Sequence, residues 1–132
     1  MEKEILPQLT DYLQGLLYFS ESEATLTVQD LGYLPKEQLN NEIAVQNNVN
    51  PETIKSIDPT DFFEGILKTA DPADDVIIEN AQKFQELYSF LKSNYTDIQV
   101  HRIEGDTKIP LIITALQPDN SCIAISTYAI ES

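Results

Sequence analysis

One histidine and one cysteine are all that a chain of 132 residues contains, and that shortage removes several kinds of chemistry. Zinc sites draw on several His and Cys ligands at short spacings, and a calcium loop needs its central glycine and closing glutamate; neither pattern occurs, so no metal set and no cofactor is expected. A lone Cys122 permits no disulfide within the chain. The four glycines, at 15, 32, 65 and 105, are scattered, which leaves no glycine-rich loop to cradle a phosphate. Cations are scarce as well. Eight Lys and Arg stand against 22 Asp and Glu, for a net charge of −14 and a pI near 4.1. Direct nucleic-acid binding needs clustered basic residues and is disfavoured, as is an anionic membrane surface. No apolar run approaches the ~20 residues of a membrane span, and Met1-Glu2-Lys3-Glu4 lacks the basic start and apolar core of a signal peptide. A reducing, cytoplasmic setting is the expectation.

What remains is a folding chain. Apolar residues make up 42%, with five Phe and six Tyr, and this length buries roughly 65–70% of the surface exposed when unfolded. Residues 1–132 are expected to form one domain. The negative charge suits docking onto a basic partner, where complementary fields speed encounter and fix register, or else serves solubility alone.

Residues 2–17 place Ile5, Leu9, Tyr12, Leu13 and Leu16 on one helical face, with Pro7 accommodated if it lies in the first turn. Residues 25–30 read as a short strand with Leu26 and Val28 inward. Residues 35–47 read as a second helix, followed by an Asn-rich loop through Pro51. Asp58-Pro59-Thr60-Asp61 and Asp71-Pro72-Ala73-Asp74 are matching helix starts, each with Asp at the N-cap, Pro at the first helical position and Asp at the third. The first opens a helix through Phe62, Phe63, Ile66 and Leu67. The second opens the longest, through Ile77, Ala81, Phe84, Tyr88, Leu91 and Tyr95. Strands follow at 98–103, 108–116 and 122–131, separated by turns at Gly105-Asp106 and Pro118-Asp119-Asn120. Residues 109–116 are apolar on both faces: Ile109, Leu111, Ile113 and Ala115 point one way, Ile112 and Leu116 the other. Such a strand needs cover on each side. The predicted fold class is α/β: a three-layer α/β/α sandwich with a mostly antiparallel four-stranded sheet and helices on both faces.

Three places stand out. Ser20-Glu21-Ser22-Glu23 interrupts an apolar run, as turn residues whose serines bond nearby backbone, or as a presented acidic tip. Glu21 and Glu23 lie too close in sequence for a glycosidase pair, whose carboxyls sit about 5–9.5 Å apart across a cleft. Asp74 stabilises its helix start, a role equally open to Asp61. The final strand stops at Glu131-Ser132, so a hydroxyl and a carboxylate end a stiff element, or the chain simply terminates there. His101 is expected to be a half-exposed strand residue and Cys122 a small core residue.

"LLYFSESE", "IDPTDFF", "ENAQKFQELYSFLKSN", "QVHRI" and "ISTYAIES", in that order along most of the chain, resemble the nuclease A inhibitor family. The match is weakest between residues 29 and 56. The resemblance implies an α/β/α sandwich of the pathogenesis-related-protein type and a protein that inhibits rather than catalyses. It implies a partner, a sugar-non-specific Mg²⁺-dependent nuclease of the ββα-metal type, bound about one to one by an inhibitor that is monomeric when free. It places nuclease contacts at Glu21, Asp74 and Ser132, the last approaching the partner's metal where the family has threonine. Ser20, Ser22, Glu23, Asp75 and Glu131 are then supporting residues, with Asp75 a competitor of Asp74 for its contact. The alternatives are an acidic module of this fold with a different basic partner, and an enzyme using Glu21 or His101.

Overall fold

In the computed structural model, which describes residues 2–131 and the side chains of residues 5–131, apolar periodicity resolves into four helices and seven strands. Helix α1 (Glu2–Leu13) leads into a small hairpin, β1 (Leu17–Phe19) and β2 (Glu23–Thr25), and then β3 (Thr27–Tyr33). Helix α2 (Leu39–Asn47), strand β4 (Ile54–Ile57), helix α3 (Pro59–Thr69) and helix α4 (Asp75–Asn94) follow. Strands β5 (Asp97–Ile103), β6 (Lys108–Leu116) and β7 (Ser121–Ile130) close the chain.

The main sheet has five strands in the order β3-β7-β6-β5-β4, every neighbouring pair antiparallel. It therefore has one strand more than expected. The addition is β4, an edge strand pairing Ile54 with Ile103 and Ile57 with Val100. Its four residues are half polar, with Lys55 and Ser56 exposed, so it carries too little hydrophobic alternation to be read from sequence. A separate two-stranded sheet, β1-β2, was likewise not foreseen.

Alternation along β6 and β7 sends side chains into two cores. Leu111, Ile113, Ala115, Ile123 and Ile125 join Leu9 of α1, Phe63 of α3, and Phe84, Leu87 and Leu91 of α4. Ile112, Leu116, Cys122 and Ala124 join Leu39, Ile43 and Ala44 of α2. The helical cover is thus unequal, three helices against one. Cys122 is buried, as expected. His101 is not half-exposed: it is fully buried, with Nε2 2.9 Å from Thr114 Oγ1. Its partners across the sheet, Ser56 and Ile112, belong to the α2 side, and that cover was invisible from strand pattern alone.

Helix α1 stops at Leu13, four residues short of the predicted end. Gly15 adopts φ +75°, a left-handed turn that only glycine takes freely, and Leu16 N–H reaches back to Leu13 O at 3.1 Å. Pro7 lies in the second turn rather than the first, on the exposed side. The two Asp-Pro starts also differ. Asp58 caps α3 as predicted, accepting from Asp61 N–H, with Pro59 at the first helical position. Asp71 instead forms a preceding turn, accepting from Ala73 N–H at 2.9 Å, and α4 begins only at Asp75 with Asp74 as its N-cap.

Candidate functional site

The hairpin β1-β2 turns through Ser20-Glu21-Ser22, held across the loop by Ser20 N–H to Ser22 O at 2.8 Å. Its Ser20 Oγ accepts from Ser22 N–H at 3.4 Å and, from the far end of the chain, from Ile130 N–H at 2.9 Å. Glu21 N–H completes the stitch with Ile130 O at 3.4 Å. Residues 110 positions apart in sequence are thereby joined. The serine that local reading offered as a turn former is also the acceptor that fixes the end of β7 beside the acidic tip. Glu21 and Glu23 are exposed, and Glu23 opens β2 opposite Phe19.

The same end of β7 is gripped from its other side. Glu131 N–H donates to Thr107 O at 2.9 Å. The Glu131 carboxylate receives a two-pronged contact from the chain's one arginine, Arg102, with Nη1 to Oε2 at 2.7 Å and Nη2 to Oε1 at 2.5 Å. Arg102 Nε also donates to Glu104. This fork-on-fork geometry is the strong form of the ion pair, and both partners register it: hydrogen bonding to Arg102 lowers the Glu131 carboxyl, and the two carboxylates raise the guanidinium. Tyr18, beside this pair, has its hydroxyl pushed up by burial, a rise that the Arg102 charge partly opposes. Ser132 lies outside the described residues.

Asp74 sits elsewhere, at the start of α4. Its Oδ1 accepts from Val76 N–H at 3.1 Å and Ile77 N–H at 3.2 Å, while Asp75 is the first helical residue; both carboxylates are exposed. The helix holding Asp74 is tied to the hairpin by Asn80, whose side chain accepts from Leu17 N–H at 3.0 Å and donates to Leu17 O at 2.8 Å. That carboxamide stands in for a neighbouring strand. Between hairpin and helices runs a groove of about 370 Å³ whose lining includes Phe19, two residues before Glu21, and Ile77, three residues after Asp74.

The structure therefore brings Ser20, Glu21, Ser22 and Glu131 into one hydrogen-bonded junction and leaves Asp74 and Asp75 across a groove from it. Sequence reasoning missed Arg102 and Asn80. Both carried a signal: a single arginine in a strongly acidic chain, and a polar residue set between Ile77 and Ala81 on an apolar stripe. Among the described residues, no group of three or more His, Cys, Asp or Glu gathers as a metal site, and no helix is long and apolar enough to cross a membrane.

Fold and site together define a small mixed α/β protein with carboxylates mounted on a hydrogen-bonded frame. Residues 3–132, nearly the whole chain, match the model of the nuclease A inhibitor-like protein family, and the chain belongs to that family. A search of curated proteins finds no match.

Proposed function

We propose that this protein is an inhibitor that blocks the active-site cleft of a non-specific Mg²⁺-dependent DNA/RNA nuclease, about one to one and without catalysis of its own. The observation that carries the reading is the stitch between Ser20, Glu21 and Ile130, which supports a single rigid projection made of the acidic tip and the end of the chain. Family membership supports the nuclease as partner.

The physics follows from what such a nuclease must hold. It grips phosphates without reading bases, so its cleft presents Lys or Arg and a metal with open positions. Glu21 replaces a phosphate against an arginine, where charge-assisted bonds are strong. Ser132 enters the space of the scissile phosphate near the partner's Mg²⁺. Asp74 pairs with a basic residue at the rim and contributes more to association rate than to affinity. Ser22 and Glu23 hold the turn, Asp75 adds charge beside Asp74, and Glu131, clamped by Arg102, supports the end of β7.

The test is digestion of plasmid DNA by a ββα-metal nuclease, titrated with wild type, Glu21→Ala and a variant lacking Ser132. A sharp stop near equimolar wild type, weakened by either change, is the expected result. Digestion unaffected by wild type would overturn the reading and favour a different basic partner for the same acidic surface.

A further inference from the structure

The groove beside the junction adds an apolar bed next to the Asp74 and Asp75 carboxylates that the inhibitor reading already uses. Its floor and walls are aromatic and aliphatic: Tyr18, Phe62, Phe84, Ile66 and Ala81 line it. Tyr18 and Phe62 stack with centroids 5.9 Å apart. Two of the polar side chains along it are already committed, Asn80 to Leu17 and Thr69 Oγ1 to Gly65 O at 2.8 Å. Small-ligand sites need a few free, well-placed polar groups to orient their guest, and this groove offers an apolar bed instead.

Its rim is charged. The lining residues Ala70 and Ile77 are joined by Asp71-Pro72-Ala73-Asp74-Asp75-Val76, a segment that carries three exposed carboxylates. On the hairpin side Phe19 runs directly into Ser20-Glu21-Ser22-Glu23. The surface around it is also unusually greasy. Of five exposed large apolar side chains among the described residues, Phe19 (36% exposed) lines the groove, and Leu67 (41%) and Val76 (72%) adjoin lining residues in sequence. An apolar trough flanked by acidic segments matches one kind of guest, an aliphatic stem carrying a positive head.

We propose that the groove between β1 and helices α3 and α4 is an anchor pocket for one arginine or lysine of the nuclease, its stem on the Tyr18-Phe62 floor and its head against the carboxylates of residues 71–75. This rests on the inhibitor reading and adds to it a hot spot that acidic contacts alone would not supply.

Gly65 makes a clean test. It lines the groove within α3, at an ordinary helical φ, and a Cβ added there meets no atom within 4 Å. Gly65→Leu fills the groove and Gly65→Ala leaves it open, while both replace a helix-interior glycine and are expected to melt at or above the wild-type temperature. In nuclease titrations Gly65→Leu should require at least about tenfold more inhibitor, and Gly65→Ala should stay within about twofold of wild type. Equal inhibition by the two variants overturns the proposal while leaving the inhibitor reading intact; no inhibition by wild type overturns both. If Gly65→Leu melts early, Phe19→Ser replaces it under the same criterion. A free protein that sediments as a dimer split by Gly65→Leu would make the groove a contact between copies and would also overturn the proposal.

Discussion

Lowering the pH from 7.5 to 5.5 should destabilise this protein by an amount set by one residue. His101 is the only histidine in the chain, and few other side chains ionise in that window. In the fold its ring is fully buried, with Nδ1 unpartnered and Nε2 hydrogen-bonded to Thr114 Oγ1. Protonation would place an unsatisfied N–H and a charge in a dry site, so burial pushes the imidazole from 6.5 down to about 4, against a weaker upward pull from Asp97. A depressed folded value means that the stabilisation is fully present above pH 6.5 and is lost as pH falls toward 4, because the unfolded chain takes up the proton first. The two values correspond to about 3 kcal/mol in total, of which about 1 kcal/mol is lost between pH 7.5 and 5.5. Urea unfolding followed by circular dichroism at pH 7.5, 6.5 and 5.5 measures it. His101→Gln keeps a donor within reach of Thr114 and removes the titration, so its stability should be nearly flat across the window. A variant as pH-sensitive as wild type would refute the assignment.

Three further perturbations test the site. Asp74→Asn keeps an N-cap acceptor and should hold stability within a few tenths of a kcal/mol, whereas Asp74→Ala should cost about 1 kcal/mol by thermal unfolding; both should slow association with the nuclease in stopped-flow mixing. Ser20→Ala removes the acceptor for Ile130 N–H and should lower global stability by about 0.5–1.5 kcal/mol, while the Ile130 amide exchanges with solvent far faster by NMR. Raising salt from about 0.05 to about 0.5 M shortens the Debye length severalfold, so the free protein should melt higher as its self-repulsion is screened while inhibition weakens.

Much of the architecture was legible because it rests on local rules. The apolar faces of α1 and α4 declared themselves by spacing. The Asp58 cap was readable from Asp-Pro-x-Asp, and the two-sided apolarity of β6 correctly called for cover on both faces of the sheet. The failures were places where non-local pairing decides. Strand β4 exists because β5 offers it an edge, not because residues 54–57 alternate. The Asp71 motif looked identical to the Asp58 motif, yet Asp74 took the cap and Asp71 was left to a turn. His101 was misjudged because exposure depends on what crosses over the strand. At the site, the acidic tip and the end of the chain were each visible, but not that Ser20 joins them, since a side-chain bond across 110 residues leaves no local trace.

The acidic junction is built in a way that reconciles two opposed demands. A surface meant for a basic cleft must concentrate carboxylates, and each added carboxylate repels its neighbours in the free protein. Holding them with surface ion pairs would neutralise the charge to be presented and contributes little stability. The backbone of the tip is held by neutral groups: Ser20 Oγ, the amides of Ser22, Glu21 and Ile130, and the Asn80 carboxamide on Leu17. The two-pronged ion pair of Arg102 with Glu131, shared with Glu104, is placed on the supporting carboxylates. In the proposed complex, rigidity supplied by uncharged bonds would let Glu21 meet a cation already oriented, so less ordering would be lost on binding. On the proposed reading the arrangement ties stability to backbone hydrogen bonding and recognition to charge, so that either could change without forfeiting the other.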